Sequence, residues 1–391
     1  MPSYRVDLSG IRPFASGGVE AVAAGVTQAL LQIEPSIRVS VTQNDLAGWA
    51  DRLQSEPESL DPVAFGAASF SRLRKLMGPR LRKAVDNSAV AQRVLASRAR
   101  RSAGESGDIV WYPFHRSPAA AAQSVVTLHD LRVFQPGLQE GRSQVVITEN
   151  VEHAKALVCS WQHPYRIASS LFPDHRDKLF LIPLPVLNPG AFVVRTSPAK
   201  SPGPLKLLAP VATSPHKNQD LVIRALPLLP NAEVTFTGPT DAEQLANLQT
   251  LARELGVLSR ISWRGYLSVE ELDEEYARSH ILVMPSRWEA ASGPIFEAVS
   301  RGMPFVGTNI APIAAQIEQF ELVGPLVDPD SPQDLARAVA RVERDYADYV
   351  EAQRGPAARL AARTWQDTAI EYRCVFDWAS GAGEKPRALQ P

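Results

Sequence analysis

The sequence predicts an α/β chain of two Rossmann-like parallel-sheet domains that face each other across a cleft, and three observations carry that expectation. Strand-length apolar runs alternate with helix-length amphipathic stretches in both halves, as they do where helices form the crossovers of a parallel sheet. Each half opens on a strand, a short polar or glycine-bearing loop and a helix. A segment from 183 to 204, with Pro183, Pro185, Pro189, Pro202 and Pro204 and no periodicity, divides the halves, and 391 residues is a natural length for two domains. The expected boundaries are 1–185 for the first domain and 205–355 for the second, with a helical tail in 356–391.

Composition narrows the function classes. Hydrophobic residues make up 45% of the chain and charged residues 21%, the balance of a soluble globular protein. A formal net charge of −1 gives no overall pull towards nucleic acid or membrane, so either partner has to be read from local clusters. Cys159 and Cys374 match no metal or redox spacing and are expected as two buried thiols in a reducing compartment. The first residues, MPSYRVDLSG, lack a basic segment followed by an apolar core, and no apolar run approaches the roughly 20 residues of a membrane span. The expectation is a cytoplasmic protein.

In the first half, residues 4–8 alternate as a strand, and a loop ending in Gly17-Gly18 leads into a helix over 19–33. Strand, glycine loop and helix form a geometry for phosphate approach, and equally a tight turn. Residues 37–41 form the second strand. The stretch 44–65 lacks periodicity and holds Asp45, Asp51, Glu56, Glu58 and Asp61, which predicts a solvated, loop-rich excursion. Residues 72–101 then carry ten arginines and lysines opposed only by Asp86, with Leu73, Leu76, Met77 and Leu81 interleaved at helical intervals. Such a face either docks on an anionic membrane surface, at about 1 kcal/mol per basic residue, or is simply solvated. No groove-reading motif or aromatic platform accompanies it, so nucleic acid is not expected. Strands follow at 108–113 and 124–128, and His129 stands at the carboxyl end of the second, over the usual binding crevice of such a sheet or in a structural role. A helix at 141–154, a strand at 156–160, a helix at 165–171 and a strand at 178–182 complete the domain.

The second half opens with a strand at 205–211 and the turn Pro215-His216-Lys217-Asn218 before a helix that runs through 226. Lys217 is placed to neutralise a diphosphate touching the helix-start amides, or is an exposed loop lysine. A strand at 234–238, a helix at 241–255 and a strand at 261–264 lead to Gly265-Tyr266-Leu267, where Tyr266 offers a stacking surface or packs in the core. After a helix at 269–279, the run Ile281-Leu282-Val283-Met284 reads as a buried strand and Pro304-Phe305-Val306-Gly307 as the next. Between them lie Glu289, then Ser292-Gly293-Pro294 and Glu297 at the start of a helix. Small residues bare the amides of that helix start for a phosphate, and two flanking carboxylates suit hydroxyl groups on either side, the pattern a nucleotide sugar requires. A solvated Glu289 and an ordinary helix-start Glu297 are the alternative. Asp328-Pro329-Asp330 spells a metal-binding D-x-D, but Ser331 or Asp330 capping a helix with Pro332 at its first position accounts for the acids structurally. Residues 356–378 are expected as one amphipathic helix.

The segment from Pro285 to Val306 resembles the acid-x7-acid signature of family 4 retaining glycosyltransferases, which have the two-domain GT-B fold. Their usual form, P-S-x-x-E-G-x-G-x-P-x-x-E-A-x-x-x-G-x-P-V-V, is matched at Pro285, Ser286, Glu289, Pro294, Glu297, Ala298, Gly302, Pro304 and Val306. Ala290 and Ser292 stand where the family usually has glycines. The segment VVTLHDL resembles the family's T-x-H-D, the turn at Lys217 its P-x-K-N/G, and Gly17-Gly18 its first-domain glycine pair.

The resemblance implies a metal-independent retaining enzyme, mannosyltransferase-like, that moves a hexose-type sugar from a nucleotide-diphosphate sugar to a hydroxyl of a glycan or lipid-linked acceptor in surface polysaccharide, lipopolysaccharide or glycolipid synthesis. Residues 1–185 are then the acceptor-binding domain and 205–355 the nucleotide-sugar domain, while the helix in 356–391 crosses back to the first domain, anchored by Trp365 and Trp378. Lys217, with His216 in place of a usual arginine, is implied to hold the diphosphate together with Gly17, Gly18, Ser292, Gly293 and Pro294. Glu289 holds the transferred sugar, Glu297 the ribose, His129 the sugar or acceptor side, and Tyr266 lies by the base. The basic face at 72–101 gives a peripheral position on the inner side of the plasma membrane. A sugar-nucleotide epimerase on the same fold, which the acid-x7-acid spacing disfavours, and a non-catalytic module binding nucleotide or glycan, which the lost glycines favour, remain as alternatives.

Overall fold

The computed structural model describes residues 2–14, 18–63, 107–115, 123–135, 138, 141–198 and 203–391. Gly17 and the basic stretch 72–101 lie outside the described residues. The chain forms two compact units, one of Met1–Leu184 with Thr364–Pro391, the other of Pro185–Arg363.

The first unit is built on a seven-stranded sheet in which every pairing is parallel. Its strands are β1 (Tyr4–Asp7), β2 (Arg38–Thr42), β3 (Asp61–Val63), β4 (Ile109–Tyr112), β5 (Ser124–Leu128), β6 (Ala156–Cys159) and β7 (Leu179–Leu181), in the order β3-β2-β1-β4-β5-β6-β7. β4, β5 and β6 are buried along their whole length, which is why they read as continuous apolar runs. The second unit has six strands, β8 (Leu205–Ala209), β9 (Ala232–Phe236), β10 (Ile261–Trp263), β11 (Ile281–Met284), β12 (Phe305–Thr308) and β13 (Leu326–Val327), in the order β10-β9-β8-β11-β12-β13, again all parallel. In each sheet the order reverses beside the first strand of the unit, between β1 and β4 and between β8 and β11. Loops leaving neighbouring strands diverge at such a point and open a crevice at the carboxyl edge. The two-domain parallel-sheet class expected from the sequence is the one observed.

Three local expectations are corrected. The expected solvated excursion over 44–65 is not what its described part, 44–63, shows: Leu46–Leu53 is a helix that buries Trp49, Ala50 and Leu53, with the Trp49 indole donating to the Ile11 carbonyl at 3.2 Å. Its apolar face repeats at helical spacing but is only two turns long, and the acids around it hide the period. The expected helix over 356–378 is two, Arg354–Ala362 and Trp365–Ser380, because Thr364 and Asp367 form a capping box that starts a new helix there. Cys159 is buried, and burial pushes its thiol pKa up, but Cys374 is exposed.

The helix Trp365–Ser380 completes the first unit's core. The Trp111 indole donates to Thr127 Oγ1 at 2.8 Å, and the Tyr372 hydroxyl shares a 2.8 Å bond with the same oxygen. Trp378 packs edge-on to Phe180 at 5.1 Å. Where this helix crosses Gly18–Ile33, a Cβ added at Gly25 meets the Trp365 indole at 2.7 Å. An indole wedged between two helices has little room to give, so Gly25→Ala is expected to cost about 1–3 kcal/mol by overpacking. Chemical denaturation checks this; an unchanged midpoint refutes the wedge, and Gly25→Ala combined with Trp365→Leu is expected to recover part of the loss.

Candidate functional site

In the second unit the loops leaving β8 and β11 flank the reversal point. The β8 loop ends in a single 3₁₀ turn, Pro215–Lys217, and Asn218 then takes left-handed backbone angles, φ 56° and ψ 39°, before the helix Gln219–Ala225. Asparagine tolerates that region better than other side chains that carry a Cβ. Its buried amide donates at 2.9 Å to the carbonyls of Pro285, after β11, and Pro329, after β13. The Arg287 amide donates to the His216 carbonyl at 2.8 Å, so the β8 and β11 loops are also laced backbone to backbone.

This lacing brings Lys217 onto Glu289. The ammonium lies 2.6 Å from Glu289 Oε1, with the carboxylate side chain 9% exposed and the lysine 21%. A pair this sheltered interacts more strongly than a surface pair, and each partner would carry an uncompensated charge if the other left. The site therefore holds a cation and an anion in mutual neutralisation at one wall of the crevice.

Beyond Glu289 the chain enters the helix Gly293–Ser300 through Ser292, which is fully buried. Gln316, from the helix Ala311–Phe320, grips Ser292 at both ends: the Ser292 amide donates to Oε1 at 2.8 Å, and Nε2 donates to the Ser292 carbonyl at 2.8 Å. The two departures from the glycine-rich pattern find their explanation here. Ser292 sits at φ −95°, and neither it nor Ala290 is among the residues with positive φ, so this loop path does not need glycine at either position. The helix opens at Gly293, with Pro294 second. Pro294 has no N–H, which leaves the Gly293 and Ile295 amides at the helix start without an acceptor in their own helix. A Cβ at Gly293 meets nothing within 4 Å, so the approach to these amides is open. A positive dipole and amides without an intrahelical acceptor suit an anion, and the partner of Lys217 lies four residues before this helix start.

Glu297 lies one turn into the same helix, half-buried, and accepts a 2.8 Å bond from the Tyr276 hydroxyl. Burial raises its pKa, while the Tyr276 bond and the Arg301 charge act in the opposite direction. Tyr266 is 68% exposed on a turn made by Gly265 at φ 65°, which excludes core packing for it. Asp328 and Asp330 are engaged within the protein: the Asp330 amide donates to Asp328 Oδ1, Asp330 pairs with Arg287, and Ser331 caps the helix Pro332–Arg344.

In the first unit His129 follows β5. Its backbone amide donates to His115 Nδ1 at 3.2 Å, and its Nε2 is 2.8 Å from the Pro113 carbonyl, so Nε2 carries the proton. Burial lowers its pKa to about 4, and the imidazole is neutral at pH 7, able to accept through Nδ1. Gly18 opens the helix Gly18–Ile33, whose first turn also holds Glu20, buried and paired with Arg52 at 2.8 Å. Glu20, Gln316 and Tyr276 escaped the sequence reading. So did the role of Asn218, for which an asparagine just before a helix start is the signal that could have found it.

Two measurements follow from these contacts. Gln316→Ala leaves the buried Ser292 amide and carbonyl unpaired and is expected to cost about 1–3 kcal/mol, visible in thermal or chemical denaturation; no loss means the clamp carries no weight. His129 has a folded pKa below its unfolded value, so the unfolded state binds the extra proton between about pH 6.5 and 4. Stability is then full above that window and falls by about 3 kcal/mol on crossing it downwards. Denaturation at pH 7 and pH 4.5 is expected to show a smaller loss in His129→Gln, and equal losses in both proteins refute the assignment.

Residues 194–359 match the family profile described as glycosyl transferases group 1. The serotype-specific mannosyltransferase WbdA of Escherichia coli is 28% identical over 173 residues, spanning 42% of this chain and 20% of that protein. Among solved structures, a sucrose-phosphate synthase from Thermosynechococcus elongatus aligns over 98% of this chain and 100% of its own, with a TM-score of 0.72 and 15% identity. Anabaena Alr3699/HepE, solved in complex with UDP and glucose, aligns over 95% and 98%, with a TM-score of 0.67 and 16% identity. At those identities the likeness is one of fold. Residues 194–359 are thus a group 1 glycosyl transferase domain, and the chain that carries them has the two-domain GT-B fold of the family 4 enzymes its motifs resemble.

Proposed function

We propose that the chain is a retaining glycosyltransferase, independent of metal, that moves a hexose-type sugar from a nucleotide-diphosphate sugar to a hydroxyl of a glycan or lipid-linked acceptor. The observation that carries this reading is the Lys217–Glu289 pair at 2.6 Å beside the open helix start at Gly293. The arriving diphosphate takes Lys217 from Glu289. The ammonium and the Gly293 and Ile295 amides then stabilise the negative charge that grows on the leaving phosphate, an electrostatic contribution from groups already in place. Glu289, released from Lys217, accepts hydrogen bonds from hydroxyls of the transferred sugar. Glu297 takes the ribose, and neutral His129 accepts a hydroxyl on the sugar or acceptor side. The mannosyltransferase relative and the UDP and glucose bound by the Anabaena protein support this class of donor. Surface polysaccharide or glycolipid synthesis is the setting it fits, with the 72–101 basic stretch holding the enzyme to anionic lipid.

The test is to incubate the protein with UDP-, GDP- and dTDP-sugars and acceptor glycans, and to follow nucleotide diphosphate release and product anomer. Absence of both release and nucleotide binding with every donor sinks the reading. Lys217→Ala is expected to weaken nucleotide diphosphate binding by about 1.5–3 kcal/mol, roughly ten- to hundredfold in Kd. Glu289→Gln is expected to act in the opposite sense on the sugar-free diphosphate, binding it more tightly because Lys217 no longer has to leave a carboxylate, while transfer is lost. Calorimetry on both variants checks the pair; equal weakening in both refutes the exchange of partners.

A further inference from the structure

We infer that Tyr276 is the positioning residue for Glu297, fixing one carboxylate oxygen so that the other is presented to the ribose hydroxyls of the donor; this rests on the donor reading given above. Tyr276 lies on the helix Val269–Arg278 and is fully buried. Its hydroxyl has one proton, and the nearer of its two acceptors is Glu297 Oε2 at 2.8 Å, with the Pro294 carbonyl at 3.5 Å. Among the described residues no protein donor is bonded to Glu297 Oε1.

The tyrosine is itself held by two arginines. The Arg301 guanidinium lies over its ring at 4.6 Å, and its carbonyl accepts from Arg195 Nη2 at 2.9 Å. Arg301, 6% exposed, pairs with Asp273 and donates to the carbonyls of Asn188 at 2.8 Å and Glu297 at 3.0 Å. The same guanidinium therefore braces the ring of Tyr276 and the backbone of the residue that Tyr276 orients. A carboxylate on an ordinary helix has several rotamers; one whose Oε2 is tied to a buried, braced phenol has lost that freedom before any ligand arrives.

The charged and titratable groups facing Glu297 are Tyr276, Arg301 and Asp273. The phenol bonds more strongly to the ionised carboxylate than to the neutral acid, so it favours the acceptor form against burial. Oε1 is then an acceptor with no protein competitor, which suits a hydroxyl and opposes a phosphate oxygen. The adjacent helix start takes the anion, and the two functions are separated by one helical turn.

The test uses Tyr276→Phe, which keeps the ring under Arg301 and removes only the hydroxyl. Binding of UDP or GDP, whichever the wild type takes, is compared with binding of its 2′,3′-dideoxy counterpart by calorimetry from pH 5 to 8. The wild type is expected to prefer the ribose form by roughly tenfold, about the worth of one hydrogen bond to a charged group. In Tyr276→Phe that preference is expected to shrink to less than about threefold, and the acid-side loss of binding to begin at higher pH. In a Glu297→Gln background the same substitution is expected to have no further effect on the preference. An unchanged preference and acid limb in Tyr276→Phe, or an equal effect in both backgrounds, overturns the inference while leaving the donor reading intact. A wild type that binds neither nucleotide overturns both.

Discussion

Three loops leave the carboxyl edge of the second sheet and meet at a single side chain. Asn218 donates to Pro285 after β11 and to Pro329 after β13, while its own backbone, left-handed at φ 56°, turns the β8 loop into the next helix. Burying a carboxamide is costly unless its donors are used, and here both hydrogens are. The parallel sheet sets the strands side by side, but it does not fix how far each loop extends beyond them. Asn218 supplies that missing distance. With the Arg287–His216 backbone bond, it brings Lys217 and Glu289, 72 residues apart in sequence, to 2.6 Å.

Once converged, the pair and the helix start divide the chemistry by charge. The sheltered ammonium and the free amides at Gly293 and Ile295 offer positive potential on one wall. The carboxylates of Glu289 and Glu297 lie on either side of it along the same loop and helix. A polyanion alone would be repelled by the flanks, and a neutral sugar alone would gain little from the centre. On the proposed reading, a molecule with a diphosphate between two hydroxylated groups finds complementary partners along its whole length. That is a stronger constraint on the ligand than any one residue provides.

The framework of this arrangement was visible in the sequence because it is made of period and punctuation. Ile281–Met284 and Phe305–Thr308 are buried on both faces, so they read as unbroken apolar runs, and Pro285 and Pro294 mark where strand ends and helix begins. Lys217 and Glu289 stand in the loops past strand ends, and Glu297 one turn into a helix, where polar residues next to apolar runs are conspicuous. The supporting contacts were not visible. Gln316 reaches Ser292 across 24 residues and Tyr276 reaches Glu297 across 21, from helices whose faces are set by packing rather than by local pattern. The helix Leu46–Leu53 was lost for a different reason, since two turns give too few repeats to separate its buried face from its acids.

The same distinction accounts for Gly302, a residue the signature requires. Its φ of 66° ends the helix Gly293–Ser300, and a Cβ there lies 2.5 Å from the Val193 carbonyl. The proline-rich segment is therefore not free linker over 188–195: Asn188 and Gly190 bond to Arg301 and Ser300, and Arg195 donates to the carbonyls of Ser279 and Tyr276. A glycine that reads as a helix stop is also the clearance for a strap across the helix that presents Glu297. Through Arg301, which the strap covers and which stacks on Tyr276, chain entering the second unit is tied to the orientation of that carboxylate. The second unit's first dozen residues are thus part of the structure that holds its candidate site.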